Sequence, residues 1–332
     1  MRVLVVGLGS MGKRRIRLMR SFFNHLEIVG VDSRSERRQQ TSEMFSVKCF
    51  GDLGEAVESF RPQIGFICAP PLAHAKIINE LLCFGCHIFS EINLTDDMYE
   101  ENQKLAEQKG LVLFLSSTQM YRKEIEYITD AAKHSRERLA YRYHIGQYLP
   151  DWHPWESYKD FFVSDPRTNG CREIFAIELP WIADAFGDVE NLQITSSRIS
   201  SLEISYPDCY ALNLSHSSGV SGQLMVDLVC RRAVRDFELF GENLYLSWRG
   251  SHDSLCHFDI AEKQNQAVPC YDDVLRDSRY SDNIVENAYV EEIEDFLGVL
   301  SDGRTPKHSF AANKKVIALI DKIERSAVCE EG

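Results

Sequence analysis

A glycine-rich segment near the start of the chain has the spacing of a phosphate-binding loop. Gly7, Gly9 and Gly12 form a G-x-G-x-x-G that follows a short apolar run and opens a helical pattern. The first glycine permits a tight turn, the second lets the backbone approach a pyrophosphate, and the third allows close packing of the helix. Backbone N–H groups at the helix start, around Ser10 and Met11, attract a phosphate. The motif therefore predicts a dinucleotide site.

An acidic residue ends the next apolar run. Asp32 lies twenty residues after the last glycine of the loop, where a carboxylate can accept hydrogen bonds from the adenosine ribose hydroxyls. We expect the adjacent Ser33 and Arg34 to line the same part of the site. The pattern favours NAD. Arg34, with Arg37 and Arg38, also suits a 2′-phosphate, so NADP stays open.

Two later apolar runs also end in residues suited to a ligand site. Ligands bind at the carboxyl edge of open parallel sheets, where such runs end. The residues expected to line the cofactor site there are Ala69, Pro70, Pro71, His74, Glu91 and Asn93.

The elements that must position these residues alternate between apolar strands and amphipathic helices. Buried parallel strands are unbroken apolar runs because helices cover both faces of their sheet. Residues 1–118 are therefore predicted to form a doubly wound parallel sheet, a Rossmann domain. Residues 119–332 contain helices and short strands, and in Gly222–Val229 apolar and polar residues alternate. This pattern predicts an α+β domain with an open, mainly antiparallel sheet.

Composition excludes two classes of partner. The net charge of −13 would repel nucleic acid and anionic membrane surfaces. No apolar run approaches the roughly eighteen residues of a membrane-spanning helix, and the chain starts on a strand pattern instead of a signal peptide. The ten cysteines are then expected to be reduced and the protein cytoplasmic. No bound metal is expected, since His252, Cys256 and His257 lack a second ligand cluster.

Several segments resemble the Gfo/Idh/MocA oxidoreductases. Cys68–His74 is similar to their C/T-P-x-x-x-H segment, Phe237–Asn243 to their strand-G-E turn, and Ala311–Ser326 to their last helix. The likeness covers nearly the whole chain. It implies an NAD(P)-dependent oxidoreductase acting on a sugar or sugar nucleotide, and a homodimer or homotetramer formed through the antiparallel sheet.

Two sequence motifs of the family contain other residues in this chain. Ile92 stands where the family has the lysine of E-K-P. In the family's second motif, Glu173 takes the aspartate position and Ile177 that of the catalytic histidine. Isoleucine can neither donate a hydrogen bond nor take a proton, so other residues must serve as acid and base. The candidates for catalysis are His153, Glu173, Glu178 and Tyr121.

These candidates rest on separate observations. Histidine is the usual side chain for proton transfer near neutral pH, and His153 lies in Tyr148–Glu156, a stretch of aromatic and ionisable residues suited to a sugar ring. Glu173 and Glu178 point about 140° apart on one helix, so only one is expected to face the cofactor. Tyr121 follows the last Rossmann strand, where family members line the substrate cleft.

The aromatic stretch is also similar to a family branch found in bacterial surface-polysaccharide and sialic-acid-like (nonulosonic) sugar pathways. This likeness favours a carboxylated sugar as the substrate. One alternative is an epimerase or lyase that uses NAD without net redox change. Another is a non-catalytic NAD(H)-binding sensor or scaffold.

Overall fold

The computed structural model describes residues 1–154, 156–277 and 283–328, with the backbone alone at 327 and 328. They form two compact units. The first comprises residues 1–118 with 289–315, and the second the described residues of 119–288 with 316–332. The sequence predicts the boundary after residue 118 but assigns 289–315 to the second domain, so the position of this segment is a correction.

The first unit contains a parallel sheet of six strands with helices between them. The strands are β1 (Arg2–Val6), β2 (Glu27–Val31), β3 (Lys48–Phe50), β4 (Ile64–Ile67), β5 (His87–Ser90) and β6 (Leu113–Leu115). The intervening helices are α1 (Ser10–Phe22), α2 (Ser35–Phe45), α3 (Leu53–Phe60), α4 (Pro71–Cys83) and α5 (Tyr99–Lys109). The strand order β3-β2-β1-β4-β5-β6 reverses between β1 and β4, which creates the crevice where doubly wound sheets bind ligands.

The second unit contains a sheet of eight strands in the order β14-β13-β12-β11-β7-β10-β9-β8. Its strands are β7 (Ala140–Gly146), β8 (Val189–Ser197), β9 (Cys209–His216), β10 (Ser221–Asp227), β11 (Val234–Phe240), β12 (Tyr245–Trp248), β13 (Cys256–Asp259) and β14 (Gln264–Ala267). Among the described strands of this second sheet, only β7 and β10 pair in parallel, and the other pairs are antiparallel. The remaining helices of the described chain are α6 (Lys123–His134), α7 (Gly170–Phe186), α8 (Glu286–Asp302) and α9 (Phe310–Val328). The predicted fold class is confirmed.

One face of the eight-stranded sheet forms the core of the second unit. Leu224 and Val226 of β10 are at most 1% exposed, while Met225 between them is 38% exposed on the other face. Trp181 of α7 packs edge-on against Tyr143 of β7 and Phe237 of β11, with ring centroids 5.5 and 5.4 Å away. The alternation predicted for β10 therefore holds, and α7 is held by aromatic packing.

Aromatic packing also explains why α8 joins the first unit. Phe66, Phe89 and Phe114, on β4, β5 and β6, stack with 4.4 and 5.2 Å between successive ring centroids. Phe296 of α8 packs edge-on against all three rings at 5.4–5.6 Å. Each such pair adds about 0.5–1.5 kcal/mol to the burial of the rings.

Local features set the ends of two elements. α4 begins at Pro71, because proline at the first helical position has its φ preset and needs no N–H partner. β8 ends at Ser197, because the carboxylate of Asp208 accepts hydrogen bonds from two backbone N–H groups just beyond the strand. No helix of the described residues is both long and apolar enough to cross a bilayer.

Candidate active site

The glycine-rich loop has the close backbone contacts that its spacing predicts. Gly7 has φ +92°, and a Cβ there would lie 2.6 Å from the backbone N of Ala69 and the carbonyl O of Cys68. A Cβ on Gly12 would lie 1.9 Å from the carbonyl O of Gly7. Gly9 directly precedes α1, whose first backbone N–H groups have no partner within the helix. The loop therefore lies against the end of β4 and presents these donors at the carboxyl edge of the sheet.

Asp32 ties the loop after β2 to the glycine-rich loop. Its Oδ2 accepts a hydrogen bond from the N–H of Leu8 and its Oδ1 from the N–H of Arg34, both at 2.8 Å. Arg37 lies 3.7 Å from the same carboxylate, while Ser33 and Arg34 are exposed. The Asp32 carboxylate, which suits a ribose, thus lies beside the Arg37 guanidinium, which suits a 2′-phosphate.

Buried hydrogen bonds join the ends of β4 and β5. His74 is 3% exposed, and burial lowers its pKa, so the ring is neutral. Its Nε2 lies 2.7 Å from the carbonyl O of Ala69 and must donate; Nδ1 must therefore accept. The side-chain amide of Asn93 lies 2.7 Å from Nδ1, so we assign the amide nitrogen to that position.

This assignment extends the network to α5 and α9. The other amide atom of Asn93 faces the Tyr99 hydroxyl. That hydroxyl in turn accepts from Nδ2 of Asn313 at 2.8 Å. The chain of bonds fixes the segment after β5, where Ile92 replaces the family lysine and is partly exposed.

A buried arginine shared by two glutamates lies beside this segment. Arg15 of α1 has no exposed surface, and its Nε lies 2.6 Å from Oε1 of Glu91. Its Nη2 lies 2.6 Å from Oε2 of Glu292, on α8. Glu292 also accepts from the backbone N–H of Ser117 at 2.7 Å. The carboxylate of Glu91 is thus bound by Arg15 inside the first unit. We expect Glu91 to support the cofactor site by fixing the end of β5.

In the second unit, Glu173 has the properties of a group that exchanges protons near neutrality. It lies in the first turn of α7, which Asn169 caps by accepting from the N–H of Arg172. Among the described residues, Oε2 of Glu173 is buried without a hydrogen-bond partner, and burial raises the pKa of the carboxyl to about 7. Ile177 lies one turn further on the same face of the helix.

The comparison with family models decides the identity of the first unit. Residues 1–117 match the model described as an oxidoreductase family with an NAD-binding Rossmann fold, that of the Gfo/Idh/MocA proteins. The match covers the Rossmann part of the first unit. The assignment confirms the predicted enzyme class, an NAD(P)-dependent oxidoreductase, and the predicted cofactor, NAD.

Solved structures resemble the chain over nearly its whole length. UDP-N-acetylglucosamine 3-dehydrogenase GnnA from Acidithiobacillus ferrooxidans has 16% identity and a TM-score of 0.75, over 98% of this chain and 97% of that one. A putative NADPH-dependent oxidoreductase from Desulfitobacterium hafniense has 12% identity and a TM-score of 0.82, over 99% and 96%. The WlbA dehydrogenase from Bordetella pertussis, in complex with NADH and UDP-GlcNAcA, has 14% identity and a TM-score of 0.75, over 98% and 96%. At these identities the likeness establishes the fold. No curated protein sequence matches the chain.

Glu178 is a correction to the catalytic prediction. It has no exposed surface, and its Oε2 accepts from the hydroxyl of Tyr143 and from Nε1 of Trp181, each at 2.8 Å. Its Oε1 lies 2.5 Å from Nη2 of Arg235. Both oxygens of the carboxylate are thus bonded within the second unit, as expected for a glutamate that points away from the Glu173 face of α7.

The other two catalytic candidates differ in exposure. The side chain of His153 is 32% exposed; its Nδ1 lies 2.9 Å from Oε1 of Glu156, and its ring packs 4.5 Å from that of Phe161. Trp155, in the same aromatic stretch, lies outside the described residues. Tyr121 is 2% exposed at the end of a 3-10 turn. His153 is thus the more accessible of the two to a ligand.

Sequence reasoning missed Arg15 and Glu292. Arg15 lies in the run K-R-R-I-R, which is typical of a solvated helix face. The available signal was that α1 must bury one side against the sheet, which places Arg15 beside the buried Ile16 and Met19. Glu292 had no such signal, since only the packing of α8 brings it to the first unit.

Proposed function

We propose that the protein is an NAD(P)-dependent oxidoreductase of a sugar nucleotide, with a carboxylated, sialic-acid-like sugar preferred, in bacterial surface-polysaccharide biosynthesis. The observation that carries the redox part is the glycine-rich loop, closed by Asp32 at the switch point of a Gfo/Idh/MocA Rossmann domain. The sugar-nucleotide part is supported by two structurally similar proteins, a UDP-N-acetylglucosamine 3-dehydrogenase and a dehydrogenase in complex with UDP-GlcNAcA.

Different residues of this chain have different roles in the proposed reaction. Gly7, Gly9 and Gly12 with Asp32 hold the dinucleotide, which when bound accepts or supplies the hydride. Oxidation of an alcohol also releases the hydroxyl proton, which needs a base. Glu173 is the proposed base, since burial raises the pKa of its carboxyl to about 7 and its Oε2 has no hydrogen-bond partner in the described part of the chain.

The aromatic stretch supports the choice of substrate. Trp152 and His153 are partly exposed, so part of each side chain is accessible for contact with a sugar. Arg231, whose guanidinium lies 3.7 Å from the ring centroid of Tyr148, brings a cation to the same stretch. A cation beside accessible aromatic rings suits a carboxylated sugar. Cytoplasmic location and a homodimer or homotetramer remain predictions.

The cofactor site is tested by titrating the full chain with NADH and NADPH and following fluorescence. We expect Asp32→Asn to weaken NADH binding about 10- to 100-fold, since a hydrogen bond to a charged group contributes about 1.5–3 kcal/mol. Glu36→Gln, at an exposed carboxylate on α2, is the matched control and is expected to bind like wild type. Failure of wild type to bind either cofactor would overturn the proposal.

The reaction is tested by screening UDP-N-acetylglucosamine, UDP-GlcNAcA and a CMP-linked sialic acid for formation or consumption of NAD(P)H. Turnover with an acidic member of this panel supports the proposal. Conversion of a sugar without change in NAD(P)H, by protein that copurifies with NAD, favours the epimerase or lyase instead. Binding of NADH with no conversion of any panel member favours the sensor or scaffold.

A further inference from the structure

A histidine, an aspartate and a cysteine converge on the eight-stranded sheet. His144 lies on β7, Asp227 ends the neighbouring β10, and Cys230 follows three residues later. Nε2 of His144 lies 2.6 Å from Oδ2 of Asp227. One ligand atom from each of the three residues lies within 4.8 Å of the others. The fold thus brings three donor types, imidazole nitrogen, carboxylate oxygen and sulfur, to one point.

The backbone fixes the carboxylate at the centre of this cluster. Oδ1 of Asp227 accepts hydrogen bonds from the N–H groups of Val229 and Cys230, at 2.9 and 2.7 Å. These bonds hold the chain in a turn that places the Cys230 thiol near the carboxylate. The other oxygen, Oδ2, faces His144. A Cβ on Gly146 would lie 2.2 Å from Oδ2, so the glycine leaves the space that the carboxylate occupies.

The cluster is buried at its centre and open at its rim. The side chain of Asp227 is 3% exposed and that of His144 33% exposed, while Cys230 is partly exposed. An ion can therefore reach the three donors from solvent, and water can complete a tetrahedral set. A neutral imidazole, a carboxylate and a thiolate carry two negative charges, which match a divalent cation.

We propose that His144, Asp227 and Cys230 form a binding site for a divalent cation of the zinc class, with solvent as the fourth ligand. Zinc accepts nitrogen, oxygen and sulfur donors in one tetrahedral site, whereas magnesium and calcium take oxygen donors. None of the three residues belongs to the glycine-rich loop or to α7. The proposal therefore stands or fails separately from the proposed function.

The test uses the full chain, stripped of metal with a chelator, and cobalt(II) as a spectroscopic probe. We expect one cobalt per chain, with a thiolate charge-transfer band and the visible bands of a tetrahedral site, and displacement of cobalt by zinc. Cys230→Ser is expected to abolish the thiolate band and to weaken zinc binding by at least about 100-fold, because loss of a direct ligand exceeds the roughly 10- to 100-fold effect of losing an outer partner.

Two further variants keep the result interpretable. His144→Gln removes the imidazole at a partly exposed position and is expected to weaken zinc binding by a similar factor. Cys83→Ser removes an exposed free thiol at the end of α4 and is expected to leave both the stoichiometry and the thiolate band unchanged. A wild-type protein without a thiolate band, or a band that persists in Cys230→Ser, overturns the proposal.

Discussion

Replacing Arg15 by methionine is expected to lower the free energy of unfolding by about 3–5 kcal/mol, because it leaves two buried carboxylates without their shared cation. Arg15 has no exposed surface, and its guanidinium lies 2.6 Å from both Glu91 and Glu292. Without the cation, burial favours the protonated form of the two carboxyls. The decrease in the free energy of unfolding should therefore be larger at pH 8 than at pH 5. The measurement is urea unfolding followed by circular dichroism at both pH values.

Two comparisons separate this effect from a general loss of charge. Arg20→Met changes an exposed arginine in the last turn of the same helix and is expected to stay within about 0.5 kcal/mol of wild type. Glu292→Gln in the Arg15→Met background removes one uncompensated charge and should restore part of the stability. If Arg15→Met costs no more than Arg20→Met, the cluster does not hold the first unit together.

Replacing Glu173 by glutamine is expected to lower kcat by about 10²- to 10⁴-fold, the usual contribution of a positioned acid or base. NADH affinity should be unchanged, since Glu173 lies outside the residues proposed to hold the cofactor. In the direction of alcohol oxidation the carboxylate is the base, so wild-type kcat should rise with pH to a plateau above about 7. The variant should lack this rise. Wild-type turnover in Glu173→Gln would move the proton transfer to another group, with His153 next.

The same variant has a second readout that needs no substrate. The pKa of Glu173 is raised from 4.5 to about 7 in the folded protein, so between these pH values the unfolded chain is ionised while the folded chain holds a proton. Stability is therefore lost as pH rises from 4.5 to 7, by about 3 kcal/mol in total. Glu173→Gln should be more stable than wild type at pH 8 and not at pH 4, as measured by urea unfolding. Glu190→Gln, at an exposed carboxylate of β8, should show no such change.

Local sequence determines the cofactor half of the protein. The close contact of Gly12 is with the carbonyl O of Gly7 in the same loop, and the Asp32 bond to Leu8 joins two adjacent strand ends. Such features repeat wherever a strand, a glycine-rich loop and a helix follow one another, so the motif alone predicted them. The Rossmann order and the alternating faces of β10 followed in the same way from apolar periodicity.

Some elements carried no local signal. β3, β13 and β14 are strands of only three or four residues, too short for periodicity to separate them from loops. β7 is different, because Arg142 and His144 alternate with the buried Tyr141 and Tyr143 at the period of a strand, a local signal that the sequence prediction missed.

Tertiary structure alone decided which charged residues are buried and with which partners. Arg15 meets Glu292 across 277 residues, and His144 meets Asp227 across 83, because packing of α8 and pairing of β7 with β10 bring them together. A charge run or a lone histidine has the same local pattern whether it is solvated or buried. The sequence therefore identified the cofactor loop. The fold assigned Glu178 to the core and left Glu173 with one carboxylate oxygen that no other group of the described residues binds. It also placed Cys230 beside His144 and Asp227.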